Sequence, residues 1–391
     1  MGRQFKVAAL AGVLATLPGL ALAESSVTIS GFFKVGLEDI RIGSPNPART
    51  GNTSETRVTD NNSRIVFGIT EDVGNGLQAI AQLDSRFSPD SGAGPTAAGN
   101  TWVGLSSPAW GNLTFGRWDL HYGLQPDDIY RKAGSDKARS VALFDFVQNG
   151  PATQAIANAT RTPNVVRWQT PNWSGFELIT AYSTNGTPAP LTGPVSAAQA
   201  TASGLVATNA SEADLASTVR KGYAWNLNPS VIRSDWQVGY SYWNSKPDAS
   251  LADQRGDTVY GFYKWSGLKI GLGWNNSKLK SAAGIDAAKR DAWTVPLSYS
   301  YGAHNLYAHY TWANDDKIQG ANTGANMFAL SYVYDVSKRT SLGLTYARIR
   351  NDSAASYQLY TDNGGSQSSL NAAPLLGEDP QLFSTVLKHA F

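Results

Sequence analysis

The sequence predicts an all-β fold, a sixteen-stranded antiparallel barrel that crosses a membrane, and three observations carry that expectation. A leader with basic residues, an apolar run and small residues marks the chain for export. The rest is one unit repeated, a segment of about ten residues in which apolar and polar side chains alternate. The connections between these segments fall into two sorts that take turns, tight turns and long polar loops.

The leader is MGRQFKVAALAGVLATLPGLALA, with Arg3 and Lys6 ahead of the apolar run and an A-x-A site at Ala21-Leu22-Ala23. Residues 1–23 are therefore expected to be a signal peptide, and residues 24–391 a single barrel domain starting at Glu24. Removing the leader takes Lys+Arg from 32 to 30 against 30 Asp+Glu, so the mature chain is formally neutral. Nothing in that balance favours a nucleic-acid partner. The absence of cysteine excludes disulfides and thiolate metal sites. With 12 Trp, 17 Tyr and 38 Gly the exported chain has the composition of an outer-membrane barrel, a composition shared by some secreted β-solenoids and lectins.

The strands, in order, are expected at 27–40, 58–71, 77–87, 100–107, 111–118, 161–170, 175–184 and 217–227. The second half supplies 232–245, 257–266, 267–276, 291–301, 304–314, 324–335, 339–351 and 380–391. The tight connections EDVGNG, SPAWG, PNWSG, NPSV, SG, YGAHN and DVSKR are rich in turn residues. The long ones include RIGSPNPARTGNTSETR and SYQLYTDNGGSQSSLNAAPLLGED. An even strand count with short turns at one end lets the last strand, 380–391, pair with the first and leave no open edge in lipid. Phe391 then sits at the periplasmic rim. Pro296 inside 291–301 predicts a bulge or edge irregularity.

The two faces of each strand differ in the sense that lipid requires. In 77–87, Leu77, Ala79, Ala81 and Leu83 oppose Gln78, Gln82, Asp84 and Arg86. In 267–276, Leu268, Ile270, Leu272 and Trp274 oppose Lys269 and Asn275. Trp225, Trp265, Trp293, Tyr301, Trp312 and Tyr334 recur near strand ends, as interfacial girdles do. Apolar side chains face lipid and polar ones face an aqueous lumen, the reverse of a soluble barrel.

Parity then gives the charges of the lumen wall. The inward basic set is Lys34, Arg64, Arg86, Arg161, Arg167, Arg220, Arg233, Lys264, Lys269 and Lys388. The inward acidic set is Glu38, Asp84, Glu177 and Asp235. A basic wall within low-dielectric surroundings concentrates anions.

Six stretches, in order along the chain, resemble the trimeric general porins of Gram-negative bacteria, of the neisserial and betaproteobacterial type. They are ESSVTISGFF, SRIVFGITEDVGNGLQAIAQLD, GNLTFGR, RTPNVVRWQTPNWSGFE, YDVSKRTSLGLTYAR and the terminal KHAF. The resemblance implies a homotrimer and a third extracellular loop, roughly 119–160, folded into the lumen. It implies that Arg64 and Arg161 line a constriction, together with Arg117, whose parity with Leu113 and Phe115 is otherwise outward. Gly99-Asn100 departs from relatives that carry a basic residue there, and Lys34 replaces a commonly acidic or polar position.

Loop 119–160 has mixed charge, and Asp127 and Asp128 are the chosen inward acids facing the wall arginines. The alternative is that they are solvated loop charges. Arg348 and Arg350 share the outward parity of Leu342 and Leu344 near a strand end, where they would meet lipopolysaccharide phosphates or else lie in a loop.

No catalytic signature is present, and the four histidines are scattered over separate elements. No enzyme activity, cofactor or metal is expected. The sequence therefore predicts a passive outer-membrane channel for ions and small hydrophilic solutes, with a modest anion preference. A substrate-specific channel and a surface adhesin or receptor stand as alternatives.

Overall fold

A strand in hydrocarbon must satisfy all its backbone N–H and C=O groups, so the sheet has to meet itself. In the computed structural model it does. The structure describes residues 25–120, 132–144, 162–184, 223–246, 253–280, 284–360 and 374–391. The segments of the first half are β1 (Ser25–Gly43), β2 (Ser54–Asp60), β3 (Arg64–Gly74), β4 (Leu77–Ser88), β5 (Ala93–Thr96), β6 (Thr101–Ser107), β7 (Gly111–Trp118), β8 (Thr162–Gln169) and β9 (Phe176–Ser183). Those of the second half are β10 (Tyr223–Ile232), β11 (Trp236–Lys246), β12 (Asp253–Trp265), β13 (Leu268–Lys280), β14 (Asp286–Tyr301), β15 (His304–Ala313), β16 (Ala325–Asp335), β17 (Thr340–Asn351) and β18 (Asp379–Ala390). Each pairs antiparallel with its neighbour, and β1 pairs with β18 from Phe32↔Ala390 to Gly43↔Asp379, which closes the ring.

Two positions in the wall are interrupted. β2 and β3 both pair with β1, and β5 and β6 both pair with β4, so the eighteen segments fill sixteen barrel positions. The sixteen-strand expectation and the closing role of the C-terminal strand therefore hold.

Polarity is inside out. Val103, Leu272 and Leu387 are 59%, 51% and 53% exposed on the outer face, whereas Asn275, Ser277 and Thr294 are fully buried on the inner one. Outer-face aromatics group near the strand ends, with Trp293 and Trp312 stacked at 6.2 Å. At the seam, Phe33 packs edge-on against Phe87 at 5.1 Å and lies 6.2 Å from Phe391. The terminal backbone N–H of Phe391 donates to Gly31 O at 3.2 Å, so the chain ends tied into the rim.

The structure corrects one turn. The tight connection lies at Arg233-Ser234-Asp235, not at NPSV, and β10 runs straight through Asn228-Pro229-Ser230-Val231. Proline lacks an N–H, but here only one ladder loses it. Pro229 pairs with Leu178 of β9, while pairing with β11 skips from Leu227↔Tyr242 to Ser230↔Gly239. Pro296 behaves likewise, since pairing of β14 with β13 skips from Leu297↔Ile270 to Thr294↔Gly273 without a change of register. The ladder is interrupted there but no bulge forms.

At the long-loop end, the connection after β1 is clasped to the one before β18. Arg49 forms an ion pair with Glu378, and Asn46 N–H donates to Glu378 Oε1 at 3.0 Å. Burial alone would push the Glu378 carboxyl up. The hydrogen bonds from Arg49 and from the backbone N–H groups of Leu375 and Asn46 outweigh it and hold the carboxyl below its usual range. A carboxylate depressed by folding contributes stability above its unfolded value and loses it as pH falls through the folded one. The clasp is therefore expected to be complete at neutral pH and to open only below the usual carboxylate range, read as a rise in amide exchange across 44–53 and 374–378. Glu378→Gln is expected to show that faster exchange already at pH 7.

Candidate pore lining

The described part of the third long connection lies against inner-face side chains. Residues 132–144 contain a short 3-10 turn, Asp136–Ala138, capped by Ser135, and the single helical turn α1, Val141–Phe144. Their partners are on β1, β14, β15, β16 and β17 and at the β2–β3 interruption. Lys34 pairs with Asp136, and Lys137 Nζ lies 2.9 Å from Glu38 Oε2. Ser135 Oγ donates to Glu38 Oε1 at 2.8 Å, and Asn61 Nδ2 donates to the same oxygen at 3.2 Å. Asp136 N–H donates to Asn61 Oδ1 at 2.9 Å. The interruption between β2 and β3 thus frees Asn61 to bind the segment, and Asp60 holds its shape by accepting from the N–H groups of Asn62 and Ser63.

The far side of the segment is held as firmly. His309 Nε2 donates to Ala138 O at 2.7 Å, and Arg290 donates to Phe144 O at 3.1 Å and to Tyr357 Oη at 3.0 Å. Lys132 Nζ reaches Asp335 at 2.6 Å. Gly343 faces Ala133, and a Cβ there would meet Ala133 O at 2.1 Å, so a glycine is what lets the segment approach the wall. Residues 354–360 cover it from above, with Tyr360 N–H donating to Lys137 O at 3.1 Å and Arg139 stacked 4.4 Å from the Tyr360 ring.

A second cluster stands beside the first on β1, β3, β4 and β18. Arg86 grips Asp84 with two bonds, at 3.0 and 2.8 Å, and also reaches Asn62. Arg64 lies 3.7 Å from Asp84 and 4.8 Å from the Phe32 ring, whose centre is 4.5 Å from Lys388 Nζ. Gly99 is explained here, because a Cβ would fall 1.9 Å from the Asp84 carboxyl carbon. Asp84, held by two arginines, occupies the room that a larger residue at 99 would need.

A third site lies on β6–β9. Arg167 is buried on the inner face with its guanidinium 4.3 Å from the Trp118 ring. Arg117 pairs with Thr101 across β6 and shares strand parity with exposed Phe115. The ladder to β8 is irregular between Gly116 and Trp118, beside a glycine with φ +148°.

The structure therefore brings Lys34, Arg64 and Arg86 together and sets Arg167 apart. Arg161, Arg220, Asp127 and Asp128 lie outside the described residues. Arg233 and Asp235 are corrected, since both sit exposed in the turn after β10 instead of on the wall. Lys264 is exposed at the short-turn end, and Lys269 is stacked 4.0 Å from inward Phe262. Sequence reasoning missed Arg290 because the strand was begun at 291; β14 starts at Asp286, and the inward series Ala288, Arg290, Ala292, Thr294 was the available signal.

Cutting one partner of a buried ion pair leaves the other charge uncompensated, at a cost of about 3–5 kcal/mol. Lys137→Met is expected to strand Glu38, loosen 132–144 and raise open-channel current noise, with faster proteolysis of that segment. Unchanged noise and proteolysis would remove the pair from the account.

The sequence model describing the Gram-negative porin family matches residues 7–354. An outer membrane porin protein of Bordetella pertussis is 28% identical over 366 residues, covering 85% of this chain and 91% of that one. The major outer membrane protein P.IB of Neisseria sicca is 24% identical over 346 residues, covering 86% and 91%. Among solved structures, the anion-selective porin of Comamonas acidovorans superposes with a TM-score of 0.71 at 20% identity, covering 94% of this chain and all of that one. OmpT of Vibrio cholerae gives 0.63 at 12% identity, covering 94% and 98%. Fold, inside-out polarity and family match agree, and the chain belongs to the Gram-negative porin family, an outer-membrane channel and not an enzyme.

Proposed function

We propose that the protein forms a trimeric, water-filled general diffusion channel with a modest preference for anions. The observation that carries the preference is the charge of the described inner wall. Lys34 and Glu38 are each matched by the segment 132–144, so neither sets the field. Among the described residues, Arg64 and Arg86 both reach the carboxylate of Asp84, and Lys388 lies over the same Phe32 ring as Arg64, so the described cluster is basic. Fixed charge of one sign in a narrow lumen favours the opposite ion. The solved Comamonas relative is named as anion-selective, and a Vibrio relative of the same fold is described in a trimer form, which supports both parts.

The third connection as a whole, 119–160, is proposed to narrow the lumen, with Asp127, Asp128, Arg117 and Arg161 contributing to the constriction. Residues 1–23 are proposed to direct export and to be removed, leaving Glu24 as the first residue. Arg348 and Arg350 keep outward parity within β17, and Arg348 pairs with Asp379 at 2.9 Å. Charge on the outer face is tolerated near the interface, and these arginines are proposed to meet lipopolysaccharide phosphates.

The test is a planar bilayer under a salt gradient with the mature protein. The expected record is insertion in groups of three equal steps and a reversal potential of anion sign. Arg64→Ala and Arg161→Ala are expected to move that potential toward zero. A cation-signed potential would contradict the proposed wall charge.

A further inference from the structure

On the inner face of β6–β8 three neighbouring side chains each hold a nitrogen donor without an acceptor. The indoles of Trp102 and Trp118 are stacked at 5.0 Å and 12°, and the Arg167 guanidinium lies over Trp118 at 4.3 Å. Trp102 Nε1, Trp118 Nε1 and Arg167 Nε are all shielded from solvent and make no hydrogen bond, although Arg167 is itself buried, with a relative exposure of 3%. Another Arg167 nitrogen donates to Gln169 Oε1 at 2.9 Å, and the carboxylate of Glu177 acts on the guanidinium through charge alone. Buried donors ordinarily find acceptors, so three together that lack one call for an acceptor from outside the protein.

The local backbone is built to make this shelf. Trp102 is paired with Gly116, whose φ is +148°, and a Cβ there would fall 2.4 Å from Thr101 O and 2.9 Å from Trp102 Cβ. Only glycine leaves the first indole its place. The irregular ladder between Gly116 and Trp118 then sets the second indole over the first.

We propose that Trp102, Trp118 and Arg167 form a binding shelf in the lumen for organic anions that join a planar ring to a carboxylate. The oxygens of the carboxylate accept from the indole and guanidinium nitrogens, and the ring packs against the face of Trp102 turned away from Trp118. The shelf rests on the channel reading and goes beyond it, because a general porin needs no site of stated chemistry.

The experiment is block of chloride current in a planar bilayer by benzoate, with acetate and benzyl alcohol as probes that each lack one half of the ligand. Benzoate is expected to block saturably, at a concentration about five-fold or more below that for acetate, with benzyl alcohol giving no saturable block. Arg167→Gln and Trp118→Leu are expected to erase the benzoate advantage over acetate. Trp102→Phe keeps a ring and removes a donor, and is expected to reduce it in part. Heat-dependent gel mobility identifies folded variants, so a misfolded one is not counted. Block that rises linearly, or a benzoate-to-acetate ratio unchanged in folded variants, would overturn the shelf. An anion-signed reversal potential without saturable benzoate block would remove the shelf and leave the channel. Saturable, variant-sensitive block with a cation-signed potential would retain the shelf and remove the anion preference.

Discussion

The ladder between β1 and β18 is the contact on which the rest of the molecule depends. In hydrocarbon an unpaired backbone group costs several kcal/mol, so an open sheet of this length could not stay in a membrane. The closure runs over twelve registered pairs, Phe32↔Ala390 to Gly43↔Asp379. Once the ring is closed, period-2 alternation does the rest, since each strand must give one face to lipid and one to the lumen. That explains why the inner face is rich in Asn, Ser and Thr and why so many large apolar side chains are exposed on the outer one.

Closure also creates a demand inside. A sixteen-stranded ring is too wide for wall side chains to fill, which leaves a lumen with room for loops inside it. Residues 132–144 do this on one side, packing Val141–Phe144 into an apolar cluster with Ile40, Ile349, Leu382 and Val386 and pinning Asp136 and Lys137 by buried ion pairs to Lys34 and Glu38. These pairs fix position more than they add stability, because burial of each charge offsets much of the attraction. Residues 354–360 close over the segment, and the Arg49–Glu378 clasp holds the loops on either side of the same seam.

Much of this was legible in the sequence because period-2 patterns report faces directly. Lys34, Glu38, Asp84, Arg86 and Arg167 are all inward as parity requires. The failures have physical causes. Asn228-Pro229 has turn composition, yet a proline whose missing N–H costs one ladder only can sit inside a strand. Moving that turn carried Arg233 and Asp235 off the wall. Arg290 was lost to a strand boundary placed five residues late. The pairing of Asp136 with Lys34, and of Lys137 with Glu38, joins residues about a hundred positions apart in sequence, a distance over which no local pattern carries information. The same holds for Gly99, whose lack of a side chain makes sense only beside Asp84.

The central claim is that the polar face lines water and the apolar face lines lipid. The chain has no cysteine, so single cysteines can be placed on a silent background. The most direct measurement is the current through Gln82→Cys and Leu83→Cys channels while a charged, membrane-impermeant thiol reagent is added. Gln82→Cys is predicted to show a stepwise loss of conductance and Leu83→Cys none. Modification of Leu83→Cys with Gln82→Cys unaffected would contradict the inside-out assignment.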